Sequence, residues 1–324
     1  MWGFLFKKCY NKQRLILVNF IMDNILMKNE KFLEKQRTYT YTGYNLTIHP
    51  HKTPEVYIDF FEFILKEKFF LSTGFRTYHL ALHDLNYLDV NNKLTGLYGS
   101  LVRYENLLPS QFIDLNTGKT PEDLKLNIAS NIKYKPTFFH FIFFPENHKI
   151  IFELENERST ISYNVVLQFF KKILDSDKFK VKFTSGEVHT LTSFKRVNSI
   201  LKNKKLKHIE FLVSRPNPDI FGDLVDETIS EYLEDQKAKN MTLTLTAQDG
   251  KYLDLNDNTE KLGVAAAENG EVKAVIENSN NRTEEISTKK FPLNHPQIFG
   301  KSVTIRNRLL MAAEKLLPKN KISR

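Results

Sequence analysis

Residues 138–154 read FFHFIFFPENHKIIFEL. A phenylalanine-rich run, Phe138 to Phe144, meets Pro145-Glu146-Asn147-His148 and then a second apolar run, Lys149 to Leu154. Aromatic and β-branched side chains suit pleated backbone, and a Pro- and Asn-containing break suits a return turn, so the segment predicts an antiparallel hairpin. Working outward, residues 75 to 90 alternate through Tyr78, Leu80, Leu82, Leu85 and Leu88. A turn at Asn91-Asn92 then returns the chain along Leu94 to Tyr104 as another hairpin. Upstream, Tyr39, Tyr41, Leu46 and Ile48 mark a strand from Arg37 that stops at His49-Pro50. Pro54 opens a helix carrying Val56, Ile58, Phe60, Phe61, Ile64, Leu65 and Phe69.

Downstream, Ser159 or Thr160 would cap a helix through Val165, Val166, Phe169, Phe170 and Ile173. Phe179, Val181 and Phe183 alternate with Lys178, Lys180 and Lys182, which predicts a strand with one basic face. A helix is expected from His189 to Asn203, with Leu191, Phe194, Val197, Ile200 and Leu201 in the core, and a strand from His208 to Val213. An acidic helix over 219–239 follows, then strands at Met241 to Ala247, Val272 to Asn278 and near Ile286, and a last helix from Val303 to Leu317. Frequent hairpins without strict βαβ alternation give an α+β fold class, two mixed domains of hairpin-rich sheets with packed helices. The expected limits are an N-terminal extension at 1–36, an α+β domain at 37–158, a basic α+β domain at 159–300 and a C-terminal helix at 301–324.

A chain of 324 residues, 41% hydrophobic, is long enough to bury about 75% of its unfolded surface without a disulfide or metal. Cys9 is its only cysteine, which excludes an intramolecular disulfide and a Cys-based zinc site and suits a reducing cytoplasm. At the N-terminus Lys7, Lys8, Lys12 and Arg14 precede an apolar run from Leu15 to Leu26. Asn19, Asp23 and Asn24 interrupt that run, and it is too short to span a bilayer, so no stable membrane insertion is expected. It reads as an amphipathic helix or as translation from upstream of a true start at Met27.

Charge is distributed unevenly. Between residues 165 and 215, twelve bases (Lys171, Lys172, Lys178, Lys180, Lys182, Lys195, Arg196, Lys202, Lys204, Lys205, Lys207, Arg215) face four acids. Residues 216 to 235 carry Asp219, Asp223, Asp226, Glu227, Glu231, Glu234 and Asp235 and no base. A basic cluster is the footprint of a protein that meets polyanions, most commonly nucleic acid. The expected phosphate contacts are Lys195, Arg196, Lys202, Lys204, Lys205 and Lys207, extended by Lys178, Lys180 and Lys182. Lysine outnumbers arginine there, which favours phosphate contact over base readout. The acidic helix is a candidate partner site, or a lid over the basic face.

Catalytic signatures are sparse. Asp254 with Glu271-Val272-Lys273 matches an Asp plus Glu-x-Lys pattern that would hold Mg²⁺ in a nuclease, two carboxylates on the metal and the lysine assisting water. His79 and His83 stand four apart without an adjacent glutamate, and with His49 and His51 they read as structural. Gly300-Lys301-Ser302 ends like a phosphate-binding loop, but His295 stands where the first glycine is required, and no strand-loop-helix context is expected there.

The strand-turn-strand Phe141 to Glu153, the helix after Ser159, the strand His208 to Val213 and Leu243 to Asp249 with its turn resemble the RexA phage-exclusion family and bacterial proteins associated with phage defence. That resemblance spans residues 138 to 280 and implies a cytoplasmic, dimerising, DNA-binding sensor rather than an enzyme. The expectation is therefore a non-enzymatic, largely sequence-independent DNA-binding protein, with no cofactor, forming a homodimer or higher oligomer and acting as a sensor or accessory in antiphage defence. The alternatives are the Mg²⁺-dependent nuclease and a protein-interaction module of a multi-subunit defence system.

Overall fold

A computed structural model describes residues 36–50, 53–73, 78–106, 113–119, 132–156, 159–216 and 224–317. The expected extension at 1–36 falls almost wholly outside them, as does the start of the acidic helix. The fold is α+β, built on two antiparallel sheets. The larger takes β1 (Arg37–His49), β2 (Phe70–Thr73), β3 (Tyr78–Tyr87), β4 (Leu97–Glu105), β5 (Tyr134–Phe144), β6 (Lys149–Glu155), β7 (Ser185–Thr190) and β12 (His295–Phe299). Its order is β12-β1-β6-β5-β4-β3-β2, with β7 also on β1. The smaller sheet, in order β11-β10-β8-β9, takes β8 (Leu206–Ser214), β9 (Asn240–Thr246), β10 (Gly270–Glu277) and β11 (Thr283–Ser287).

The hairpin read from Phe138 to Leu154 is β5 and β6, closed by a short 3-10 turn at Pro145–Asn147. β1 shows that its end of the sheet is buried on both faces. Its even positions Tyr44, Leu46 and Ile48 join a core with Phe139, Phe141, Phe143 and Phe152 under helices α1 (Glu55–Glu67) and α2 (Tyr163–Leu174). Its odd positions Tyr39 and Tyr41 join Ile142, Phe144 and Ile151 under α7 (Ile305–Leu316). Both helices over the first face are amphipathic; α1 sends Phe60, Phe61 and Ile64 inward, and the Ser162 hydroxyl caps α2 by accepting from Asn164 N–H.

Two expectations are corrected, and one helix was not foreseen. Residues 178–182 are not a strand but part of α3 (Asp177–Phe183). Ser176 caps it by accepting from Phe179 N–H, and Phe179 and Phe183, four apart, bury together while Val181 is 88% exposed. Helical spacing therefore overrides the two-residue alternation, and it sends Lys180 away from Lys178 and Lys182. The expected helix 189–203 is instead the end of β7 followed by α4 (Phe194–Leu201), capped by Ser193; Leu191 is buried ahead of that helix and Phe194 lies 65% exposed. Residues 257–269 form α6 (Asp257–Asn269), unforeseen because its buried face is Gly263, three alanines and the polar Asn269. The acidic helix is described as α5 (Leu224–Asp235).

The limit expected at residue 158 also does not separate the sheets, since α2, α3, β7 and β12 all pack on the large one. The second unit runs from α4 to β11, with α6 against β8 and β10. The units meet through polar clamps: Asn45 Nδ2 donates to Asn269 Oδ1 at 2.8 Å, Lys149 Nζ lies 2.8 Å from Glu268, and Lys239 Nζ lies 3.2 Å from Glu187. Among the described residues no helix is long and apolar enough to cross a membrane.

Candidate nucleic-acid interface

The nine basic residues of the expected phosphate track do not form one strip. Lys178, Lys180 and Lys182 lie on α3, which packs on α2 and β7; Lys195, Arg196 and Lys202 lie on or just after α4, which packs on α6. Four of the cations are met by carboxylates: Lys178 by Glu67, Lys202 by Glu260 at 3.6 Å, and both Lys205 and Lys207 by Glu277 at 3.7 and 2.6 Å. The Glu277 carboxyl is held below the ordinary range, first by the Lys207 hydrogen bond and then by that of Tyr252. Arg196 stacks at 4.1 Å on Phe291, and Lys182 sits over Phe63 and Phe183. Lys180, Lys195 and Lys204 have no carboxylate partner among the described residues.

A different surface joins cations to rings. On the α7 side of the large sheet, α7 covers the end at Ile142, Phe144 and Ile151, while the part built from β2, β3, β4 and the start of β5 has no described helix over it. Register brings Ser72, His79 and Tyr104 into one cross-strand row, and Phe70, Ala81, Val102 and Phe138 into the next. Phe70 and Phe138 are 46% and 37% exposed. The His79 imidazole stacks on Tyr104 at 5.4 Å and 26°, and Phe70 meets its other side edge-on at 5.5 Å. Lys172 Nζ lies 5.1 Å from the Phe70 ring and Lys133 Nζ 5.6 Å from the Tyr104 ring, so a cation stands at each end of this three-ring series. His83 packs on Phe138 at 4.8 Å in the adjoining row.

A hydrogen-bond chain fixes His79. Lys133 Nζ donates to Asn106 Oδ1 at 3.0 Å, which turns the Asn106 amide nitrogen onto His79 Nε2 at 2.8 Å. Nε2 must then accept, and Nδ1 carries the proton toward Ser72 Oγ at 3.1 Å. Burial, and then the charges of Lys133 and Lys172, push the His79 pKa below its ordinary value. The ring is thus neutral at pH 7 and presents an uncharged π face. An exposed antiparallel sheet with stacked rings and flanking lysines can stack unpaired bases and hold their phosphates.

Sequence reasoning passed over this surface. It read His79 and His83 as structural, counted Lys172 in the basic cluster without naming it a phosphate contact, and gave Phe70, Tyr104 and Lys133 no binding role. The available signal was the alternation of His79, Ala81 and His83 on one face, but their neighbours follow only from the pairing of β2, β3 and β4.

The nuclease residues are not brought together. Leu253, next to Asp254, bonds through its N–H to Leu206 O at one end of β8, whereas Glu271 pairs with Leu212 six residues along. At the rise of an extended strand that is a separation of about 20 Å. Glu271 is instead held by Ser287 and Lys289, and Lys273 by Glu210 at 2.9 Å. Among the described residues no group of three or more His, Cys, Asp or Glu could hold a metal ion. Gly300-Lys301-Ser302 does stand between a strand and a helix, contrary to expectation, but 295–299 is itself β12, which leaves too short a loop to cradle a phosphate.

The arrangement defines a two-sheet α+β protein with an aromatic, lysine-flanked sheet face. The chain belongs to DUF4747, a domain family of unknown function, whose model matches residues 37–311. No curated protein matches the chain.

Proposed function

We propose that this protein binds nucleic acid without sequence recognition and without catalysis, taking single-stranded segments on the open part of the large sheet. The observation that supports this is the series Lys172, Phe70, His79, Tyr104, Lys133, in which three neighbouring rings from two adjacent cross-strand rows are flanked at both ends by ammonium groups. Every base has a π face, so stacking tolerates any sequence. Lys180, Lys195 and Lys204, which have no carboxylate partner among the described residues, add long-range attraction for the phosphate backbone. DNA is the ligand we favour. A sensor or accessory role in antiphage defence, implied by the likeness to RexA, would need such sequence-independent capture.

The test is fluorescence anisotropy with labelled single-stranded DNA, RNA and duplex DNA of equal length, at several salt concentrations, with Mg²⁺ and with EDTA, scoring cleavage alongside. The expected result is salt-sensitive binding, tighter for single strands than for duplex, with the oligonucleotide intact. Absence of binding at low salt refutes the reading. Mg²⁺-dependent cleavage replaces it with a nuclease.

A further inference from the structure

The small sheet ends on β9, and no described strand pairs with its outer edge. β9 reads Asn240-Met241-Thr242-Leu243-Thr244-Leu245-Thr246, without charge or proline, and its register with β8 runs unbroken. Proteins usually blunt such edges with charges, bulges or short strands. The opposite edge, β11, carries Glu284 and Glu285, and β2 at the rim of the large sheet is only four residues long. β9 has none of these protections.

The hydrogen-bond pattern shows which groups it offers. Ala247 N–H donates to Lys207 O at 2.8 Å, and Thr246 stands opposite His208. In an antiparallel ladder the bonded pairs alternate, so residues 241, 243 and 245 exchange bonds with β8. The N–H and C=O groups of Thr242, Thr244 and Thr246 therefore point outward, and these three threonines are exposed while Leu243 and Leu245 lean on the core.

We propose that β9 is a homodimer interface, in which a second copy adds its own β9 antiparallel across a twofold axis at Thr244 and the two small sheets become one of eight strands. The strand is complementary to itself. Centring on Thr244 sets Thr242 opposite Thr246 of the second copy, an uncharged pairing that suits cross-strand hydroxyl contacts. Lys239, 78% exposed on its side chain beside Glu187, precedes the strand and Asp249 lies in the turn that follows it, so the antiparallel arrangement brings opposite charges of the two copies to each end. A twofold interface needs this property, that residue i meets j and j meets i.

Light scattering on the full chain should give twice the 38.0 kDa mass at micromolar concentration. Thr244→Pro removes an outward N–H and leaves the β8 ladder intact, so the variant should fold, as circular dichroism would show, and be monomeric. Thr244→Lys puts like charges on the axis and should do the same, while Asp249→Lys, which leaves only cations at each end, should weaken the dimer. With Cys9→Ser in place, Thr244→Cys should crosslink to itself on mild oxidation, because facing residues of such a pair lie about 5.5 Å apart, within disulfide reach. Thr283→Cys on β11 should not crosslink. A wild-type monomer at every concentration overturns the proposal. So does a dimer that survives Thr244→Pro without crosslinking at Thr244.

Discussion

Glu187 is the place to test how the two units are held together. It lies on β7 of the large sheet, opposite Thr47, and its carboxylate accepts from His189 Nε2 at 3.0 Å on its own strand. From the second unit it meets Lys239 Nζ at 3.2 Å and the Ser214 hydroxyl. Burial alone would raise its pKa, but the hydrogen bonds from His189, Ser214 and Lys239 outweigh burial and bring it from 4.5 down to about 2. A carboxyl with a folded value below its unfolded one binds fewer protons when folded. Its stabilisation is therefore complete above about pH 4.5 and is lost as pH falls toward 2, and the difference between the two values corresponds to about 3 kcal/mol. Glu187→Gln keeps the shape and removes the charge. In urea unfolding followed by circular dichroism, wild type should exceed the variant by up to about 3 kcal/mol at pH 6, and the gap should close as pH drops through 4 toward 2. A gap that is the same at every pH in that range would refute the assignment of Glu187 as the ionised clamp.

Three further outcomes follow from the geometry. Tyr104→Ala should weaken single-strand binding about 5- to 150-fold, the worth of one stacked base, with duplex binding less affected and Tyr104→Phe near wild type; anisotropy titrations decide. Replacing Lys202, Lys204 and Lys205 with alanine should flatten the dependence of log affinity on log salt by about 0.9 rather than about 2.7, because Lys202 and Lys205 already face Glu260 and Glu277. Gly99→Ala would set a methyl 2.2 Å from the Asp84 carbonyl oxygen at the bulge between β3 and β4, and thermal unfolding should show a loss of about 1–3 kcal/mol.

What the sequence settled by itself was local. The hairpins β3–β4 and β5–β6, helices α1 and α2 and the α+β class came from side-chain alternation, turn residues and the three-to-four spacing of phenylalanines, all within one element or one turn. Even the change from odd to even apolar positions along β1 was visible, although its meaning, a strand buried on both faces, was not. The failures began where local patterns were degenerate. Phe179 and Phe183 fit two periods equally, and only the cap at Ser176 and the core beneath selected the helix. Alanine and glycine gave α6 too little contrast to be read as a buried face. Tertiary structure alone placed β7 and β12 beside β1, and it set Lys202, Lys205 and Lys207 against carboxylates more than fifty residues away. It alone brought Phe70, His79 and Tyr104 together from adjacent cross-strand rows. Strand register and charge pairing join residues distant along the chain, and the free energy that fixes them comes from filling a common core, which no short window of sequence contains.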